Sequence, residues 1–347
     1  MTKRFGFCCK WLNDESEFGG MKVNAKDRDL NGRSTTMRWL REHREEAEQR
    51  QWDIMNHNAS AAVRMIERVG TLPLERRMVR LGSEMLQGYT EKDWKSWWQQ
   101  SHIQQHLEKI FAPVGEAARR HDVKVSFHPG QFCVLASETP EIVDRSIEEF
   151  EYHADMARWM GFGKQFQDGC KINVHISGRQ GPAGIRKALA RLSPEARNLI
   201  TIENDEMGHG LEKTLELVKD LALVLDIHHH LIRDEEYIQP SDDRVKRVID
   251  SWRGVRPSMH YSYFRDEALA MAGLNSEEMH QELHDMKELL ARGAKKQKLR
   301  AHSDLFPNRK TNQWALSFSE NFDIQCEAKG KNLASEQLYL QSIKAIK

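Results

Sequence analysis

The most constraining feature of this chain is a series of short apolar runs, most of which end at a histidine, an aspartate or a glutamate. Examples are VSFHPG, INVHIS, TIENDE, LVLDIH and IQCEAK. The polar residues at or just beyond the ends of such runs are His128, His175, Glu203, Asp226, His229, His260, His302 and Glu327. A strand buries its middle, so its carboxyl end is where a polar side chain can meet solvent and a ligand. The pattern therefore predicts polar groups gathered at one edge of a sheet.

The same runs predict the fold. Eight strands are expected near Arg4–Cys8, Met78–Leu81, Val123–Phe127, Lys171–Val174, Leu199–Ile202, Ala222–Leu225, Ser258–Met259 and Asp323–Cys326. Amphipathic segments between them predict helices, for example Trp52–Val69, Ile103–Arg120, Pro140–Met160, Leu211–Val218 and Ser276–Ala291. Eight strands that alternate with helices indicate an α/β protein built as a single closed (β/α)₈ TIM barrel, with the polar cluster at the carboxyl face of its strands. A doubly wound open sheet is the alternative, but it would gather ligands at one switch point only.

No linker, repeat or low-complexity tract divides the chain, so we predict one domain over residues 1–347. Two stretches read as insertions into a minimal barrel. Residues 87–102 carry three tryptophans in a polar setting, and residues 263–300 place a long charged helical segment between two of the polar positions. At the start of the helix predicted from Pro140, Thr139 is expected to cap the first turn.

Composition narrows the class of protein. Lys+Arg and Asp+Glu are both 52, so the net charge is zero and DNA binding would have to depend on local potential. The five cysteines form no C-x-x-C pair and are odd in number, which favours a reducing compartment. The first residues lack the apolar run of a signal peptide, and no run approaches transmembrane length. We therefore expect a soluble cytoplasmic protein with no membrane contact.

The polar cluster has the composition of a metal site. A lone histidine is more often a core or surface residue than a ligand, so the prediction depends on the whole set. Carboxylates can bridge two cations, and mixed imidazole and carboxylate ligands suit zinc or manganese better than calcium or magnesium. An unpaired carboxylate after LALVL or LITI would be costly to bury, and a cation removes that cost. The predicted sets are His128 and His175 with Glu203, Asp226 and His260 with Glu203 and Glu327, and His229 with His302.

Five motifs in order make the chain resemble a known family. They are HPGQ (His128–Gln131), ENDE (Glu203–Glu206), D-x-x-H-H (Asp226–His230), HYS (His260–Ser262) and EAKGK (Glu327–Lys331). From about Arg4 to Lys331 the chain resembles the UV damage endonucleases, TIM barrels related to endonuclease IV and the sugar isomerases. The resemblance implies a metal-dependent DNA repair endonuclease that nicks damaged double-stranded DNA immediately 5′ to UV photoproducts and leaves 3′-hydroxyl and 5′-phosphate ends.

The resemblance also implies a cofactor and a ligand set. It indicates up to three divalent cations per chain, manganese first, with zinc, magnesium and cobalt as alternatives, and no obligate protein partner. All eight polar residues become metal ligands, and Glu203, Glu327 and His175 become the catalytic residues among them. Gln131 and Phe132 match the family's Gln–Tyr pair, which enters the duplex beside the lesion. Stacking of a base on an aromatic ring is worth about 1–3 kcal/mol, so the phenylalanine keeps the main interaction.

Further DNA contacts are expected around this centre. Residues 292–310 carry seven lysines or arginines against one aspartate, which suits contact with phosphate. The predicted contacts are Phe7 as the aromatic residue of the first strand, Lys10 near the first loop, Arg300 in the basic segment, and Lys329 and Lys331 in EAKGK.

Three positions depart from the family pattern. Ser258 stands where many relatives have a lysine that helps to hold metal, Glu91 where relatives place a histidine after the second strand, and Phe7 where tyrosine is common. We therefore expect a weaker third metal position and altered damage recognition. The alternatives are an apurinic-site endonuclease of the endonuclease IV type, a sugar isomerase or epimerase, and a lesion-binding relative without catalysis.

Overall fold

A computed structural model describes residues 2–13 and 28–344 of the chain. Eight parallel strands form a closed barrel in which each strand pairs with its neighbours in sequence, and β8 returns to β1. The strands are β1 Phe5–Cys8, β2 Met78–Arg80, β3 Lys124–Phe127, β4 Lys171–His175, β5 Ile200–Glu203, β6 Ala222–Asp226, β7 Ser258–Tyr261 and β8 Asp323–Cys326. This arrangement confirms the predicted TIM barrel and excludes the open sheet.

Helices surround the barrel and fill the loops between its strands. In chain order they are α1 Met37–Glu42, α2 Arg44–Gly70, α3 Lys92–Trp98, α4 Ser101–Arg120, α5 Pro140–Trp159, α6 Gly181–Leu189, α7 Pro194–Leu199, α8 Leu211–Thr214, α9 Ile227–Asp234, α10 Asp243–Ser251, α11 Asp266–Ala270, α12 Ser276–Gln281, α13 Met286–Ala291, α14 Lys296–Leu299, α15 Arg309–Ser317 and α16 Lys331–Lys344. Within the described ranges, none of these helices is long and apolar enough to cross a membrane.

Polar side chains line part of the barrel interior. Strand residues alternate between the interior and the surrounding helices, so one face of each strand lines the barrel. A narrow interior space of about 20 Å³ is lined in part by Arg80, Ser126, Asn173, Thr201, Ser258 and Gln325. Gly6 lies on the same face of β1, where an added Cβ would come within 2.6 Å of Met78 Cγ. The polar lining leads directly to the carboxyl ends of the strands, where the predicted ligands lie.

Two tryptophans of the segment 87–102 are part of the core. Trp98 is fully buried and Trp97 is 8% exposed, whereas the sequence setting is polar. The two indole rings meet edge to face at 4.7 Å, and Tyr89 lies 5.7 Å from Trp98. Trp97 also contacts Trp52 of α2 at 6.2 Å. These tryptophans therefore pack α3 against the surrounding helices.

The segment 263–300 differs from the prediction. The single helix expected over Ser276–Ala291 is wrong, because the chain forms α12 and α13 with a break between them. Asn308 Nδ2 donates to the carbonyl oxygens of Met279 and Glu282 at the end of α12. Asp285 then caps α13 by accepting from the backbone N–H of Glu288. A residue distant in sequence thus satisfies the carbonyl groups that a longer helix would have used.

Two smaller expectations are also revised. Helix α5 begins at Pro140 as predicted, but the side chain of Thr139 makes no cap hydrogen bond. Its carbonyl oxygen instead accepts from the backbone N–H groups of Ile142 and Val143. The helix predicted over Leu211–Val218 is α8 followed by a short 3-10 turn over Leu215–Leu217.

Gly115 is where α4 and the residue that follows α5 approach closely. A Cβ added there would lie 1.8 Å from the carbonyl oxygen of Met160, which is backbone and has no room to move. We expect Gly115→Ala to lower the free energy of unfolding by about 2–3 kcal/mol, the upper part of the range for overpacking. Urea denaturation measures this loss. Gly82→Ala is the matched control, because nothing lies within 4 Å of its added Cβ; equal losses in both variants would contradict the close approach.

Candidate metal centre

The predicted ligands converge at the carboxyl mouth of the barrel. The register pairs His175 of β4 with Glu203 of β5, and Asp226 of β6 with His260 of β7. Glu203 and Asp226 are fully buried. Asn173, one layer deeper in β4, donates from Nδ2 to Glu203 Oε2 and is itself held by Thr201 Oγ1 at 3.0 Å. The polar lining of the barrel therefore orients the central carboxylate.

Ligand atoms come together in three overlapping groups. Within each group the atoms lie within 4.8 Å of one another, and Glu203 belongs to all three. The groups are His128, Glu203 and His260; His175, Glu203 and His229; and Glu203, Asp226, His260 and Glu327. The last has the composition expected from the sequence, whereas the other two exchange a histidine relative to the expected sets. His302 lies outside all three groups, with Nε2 at 4.0 Å from Glu327 Oε2.

Two histidines are oriented by backbone carbonyl groups. His128 Nδ1 lies 2.8 Å from the carbonyl oxygen of Pro129, and His229 Nδ1 lies 2.9 Å from that of Asn204. A carbonyl oxygen only accepts, so each Nδ1 must carry a proton, and Nε2 is the ring atom that a cation would bind. Hydrogen bonds of this kind fix the ring orientation and tautomer of metal-binding histidines. Both rings are thus prepared to bind a cation through Nε2.

His175 has a carboxylate neighbour instead. Its Nδ1 lies 3.4 Å from Asp205 Oδ2. The other oxygen, Asp205 Oδ1, accepts from the backbone N–H groups of Met207 at 2.6 Å and Gly208 at 2.5 Å. Burial would raise the pKa of Asp205, but His175 and these backbone groups lower it to about 2. Asp205 is therefore an anion that links a predicted ligand to the loop after β5.

Arg80 belongs to this centre, although the sequence analysis missed it. It is 7% exposed at the end of β2. Its guanidinium lies 2.5 Å from Glu327 Oε1 and 2.9 Å from His260 Nε2. Arginine only donates, so Nε2 accepts, and the Nδ1–H of His260 points to Glu203 Oε1 at 2.9 Å. The sequence did contain an indication of this role. The run Met78–Leu81 has no acidic or imidazole residue at its end, and Arg80 is its only polar residue.

The pKa values of the buried residues indicate whether the centre is suited to bind cations. Asp226 Oδ2 is buried without a hydrogen-bond partner, and burial raises the pKa of this carboxyl group to about 7. Burial would also raise the pKa of Glu203, but His260 and His175 hold it well below its ordinary value. Burial would lower the pKa of His229, yet Asp226 and Glu203 raise it to about 10. Without cations, protons on Asp226 and His229 offset the buried negative charge of the centre, and divalent cations would replace those protons. The residues present fit a divalent-cation cluster.

The predicted DNA contacts fall in different places. Gln131 is exposed, and Phe132 is 85% exposed on the loop that follows β3. Lys10 and Lys329 are also exposed, with Lys329 Nζ 3.8 Å from Asp304. Lys331 is half-buried at the start of α16. Four of these side chains are therefore exposed, and one of them, Lys329, has an acidic neighbour.

Phe7 is a correction. It is 1% exposed, and its ring meets Trp11 at 5.8 Å. Gly6 lines the barrel interior, so strand alternation turns Phe7 toward the helices. From that position it cannot touch DNA, and its prediction as a DNA contact is wrong.

The basic segment presents less free charge than its composition suggests. Arg300 Nε and Nη2 each lie 2.7 Å from Glu206 Oε1, and Lys310 lies 2.7 Å from Glu282. Two further basic residues, Arg292 and Lys296, have acidic neighbours at 3.4 and 3.9 Å.

Of the two other departures from the family pattern, Ser258 is half-buried in the barrel lining and Glu91 is exposed at the start of α3.

Comparison with known proteins supports this description. Residues 4–347 match a family model described as UV-endonuclease UvdE. The UV DNA damage endonuclease of Bacillus mycoides is 27% identical over 259 residues, which cover 69% of this chain and 70% of that protein. The UV-damage endonuclease of Neurospora crassa is 28% identical over 170 residues, which cover 44% of this chain and 26% of that protein.

Solved structures are similar in fold. The crystal structure of SacUVDE has a TM-score of 0.70 at 19% identity, covering 99% of this chain and 98% of that chain. Endonuclease IV from Thermus thermophilus has a TM-score of 0.50 at 14% identity, covering 82% of this chain and 94% of that chain. At these identities the similarity concerns the barrel alone.

Proposed function

Because the chain belongs to the UV-endonuclease UvdE family, an enzyme family whose members act on UV-damaged DNA, we propose that it is a cation-dependent nuclease that nicks the duplex immediately 5′ to a pyrimidine dimer or 6-4 photoproduct. The products would be 3′-hydroxyl and 5′-phosphate ends. One observation carries the proposal: Glu203, Asp226, His260 and Glu327 place ligand atoms within 4.8 Å of one another at the barrel mouth, and one buried Asp226 oxygen has no hydrogen-bond partner.

The proposed cofactor is a set of up to three divalent cations, with manganese as the first candidate. The three overlapping groups would hold them, and Glu203 would be shared among all three. When bound, such cations make a water molecule more acidic and offset the charge that develops on phosphate oxygens. His302, next to Glu327, would complete a position at the edge of the cluster.

The chain's own residues supply orientation and charge. Glu203, Glu327 and His175 are the proposed catalytic residues, since they would contact the cations. Arg80 is a positioning residue that holds Glu327 and His260. Water is the proposed nucleophile: Cys326 is fully buried behind Glu327, and burial raises the pKa of both Cys326 and Cys133.

Lesion recognition is assigned to the loop after β3. Gln131 and Phe132 follow His128 by three and four residues and are both exposed. A ring that enters the duplex at this point would stack on a base close to the cation ligands. Intact steps cost more to unstack than damaged ones, which favours a lesion at this site. Exposed Lys10 and Lys329 are proposed phosphate contacts.

An assay with three duplexes tests the function. Purified protein with Mn²⁺ is incubated with duplexes that contain a thymine dimer, an abasic site or neither, and products are mapped on sequencing gels. We expect one nick immediately 5′ to the dimer, no nick in the intact duplex, and no cutting in EDTA. Cutting at the abasic site alone would instead make the protein an apurinic-site endonuclease, and retention of the dimer duplex without cutting would make it a lesion-binding protein.

A further inference from the structure

Two apolar side chains stand out on the described surface. Phe132 is 85% exposed and Met207 is 66% exposed, while the next large apolar residue, Leu283, is 45% exposed. Each lies four residues after a predicted ligand, Phe132 after His128 and Met207 after Glu203. Those two ligands are in contact, with His128 Nε2 at 3.4 Å from Glu203 Oε2. The two exposed side chains are therefore carried by loops that leave the barrel mouth from adjoining points.

The backbone that carries Met207 is held in place. Asp205 Oδ1 accepts from the N–H groups of both Met207 and Gly208, and the Asp205 N–H donates to the carbonyl of His209 at 3.0 Å. His209 Nε2 in turn lies 3.0 Å from the carbonyl oxygen of Gly178 on the neighbouring loop. Met207 thus occupies a fixed turn, although its own side chain contributes little to the core.

Neither neighbour of Met207 presents an exposed side chain, since Glu206 is directed inward and Gly208 has none. Glu206 has a side chain only 11% exposed, directed at His229 and Arg300. Gly208 sits over the end of β4, where an added Cβ would lie 3.1 Å from the carbonyl oxygen of Ile176. The turn therefore faces the ligand cluster with its polar residues and presents Met207 alone to the outside. A fixed, exposed apolar side chain next to a reaction centre gains free energy only when a partner buries it.

We propose that Met207 is a second apolar wedge, which contacts the base stack of the damaged duplex from the loop after β5 while Phe132 enters from the loop after β3. The inference rests on the proposed function. Methionine is among the side chains that proteins insert between base steps, and its flexible, polarizable thioether adapts to a distorted step. Because a damaged step is easier to unstack than an intact one, the second wedge increases the preference for damage.

The test measures binding and base unstacking separately from cutting. The probe is a thymine-dimer duplex with 2-aminopurine next to the lesion and a methylphosphonate in place of the linkage that would be cut. We expect Met207→Ala to weaken binding of this duplex about tenfold, to reduce the rise in 2-aminopurine fluorescence, and to change binding of the undamaged duplex by less than about twofold.

Three further variants make the result specific. Met207→Leu keeps the apolar volume and should restore binding and fluorescence, while Met207→Gln has similar length but should behave as Met207→Ala does. Leu340→Ala removes an apolar side chain that is 43% exposed on α16, away from the proposed surface, and should match the wild type. All variants should melt at the wild-type temperature.

The outcomes separate the two proposals. If the wild type nicks the ordinary dimer duplex while Met207→Ala binds and unstacks the probe as the wild type does, the wedge is refuted and the endonuclease proposal stands. If the wild type neither binds nor nicks dimer duplexes, the endonuclease proposal fails and the wedge falls with it.

Discussion

Glu203→Gln is expected to lower kcat for nicking by at least about a thousandfold, which corresponds to about 4 kcal/mol of barrier, while binding of a dimer duplex stays within about threefold of the wild type. Glu203 is fully buried and belongs to all three ligand groups. A neutral amide removes one negative charge from each of the three groups and directs an N–H donor at imidazole nitrogens and cations. Phe132, Lys10 and Lys329 are untouched, so recognition of the lesion should persist.

Bound metal gives a second readout for this variant. Elemental analysis after desalting should find at least one fewer manganese ion per chain in Glu203→Gln than in the wild type. Glu67→Gln is the matched control, because Glu67 pairs with Arg120 at 3.0 Å on the outer helices and is 45% exposed. Wild-type turnover by Glu203→Gln would remove Glu203 from the ligand set and leave the proposed cluster without its shared member.

The fold was predictable because its signal is local. Each strand is a short apolar run bounded by charge, glycine or proline, and all eight predicted strands appear in order with ends shifted by at most two residues. The break between α12 and α13 was not predictable in this way, because its cause is Asn308, which lies 26 residues beyond Glu282. A hydrogen bond from a residue distant in sequence to a helix carbonyl group does not change the hydrophobic periodicity of the helix.

The face of β1 shows a different limit. In FGFCC both faces are apolar or small, so alternation alone does not indicate which side chains enter the barrel. The structure decides through contacts with distant strands: Gly6 meets Met78 and Gln325, which turns Phe7 outward against Trp11. The prediction of a DNA contact at Phe7 depended on the opposite orientation.

The site could be predicted as a set of residues but less well as a set of contacts. Strand ends determine which side chains meet, whereas ring rotation determines which atoms share a cation. His128 therefore groups with His260 instead of His175, and His175 groups with His229. Arg80 was not predicted because arginine is not a metal ligand, although a buried carboxylate such as Glu327 is destabilised when its cationic partner is missing.

Arg80→Met is expected to lower the free energy of unfolding of the metal-free protein by about 3–5 kcal/mol, the usual loss when one partner of a buried ion pair is removed. Glu327 would remain buried beside Glu203 without the guanidinium, and burial would no longer be offset by its positive charge. His260 Nε2 would lose its donor as well. Arg80→Lys keeps the charge with fewer donors in the same space, so it should lose less.

Manganese should restore part of the stability that Arg80→Met loses. A divalent cation held by Glu203, Asp226 and Glu327 would supply the positive charge that the variant no longer has. Urea denaturation in EDTA and again in saturating Mn²⁺ measures the difference, and added Mn²⁺ should raise the stability of Arg80→Met more than that of the wild type. Arg179→Met is the control: its side chain is 86% exposed and lies 3.5 Å from Glu138, so its loss should stay within about 0.5 kcal/mol in both conditions. Equal losses for Arg80→Met with and without Mn²⁺ would show that Arg80 supports the barrel lining alone and does not share its carboxylate with the cations.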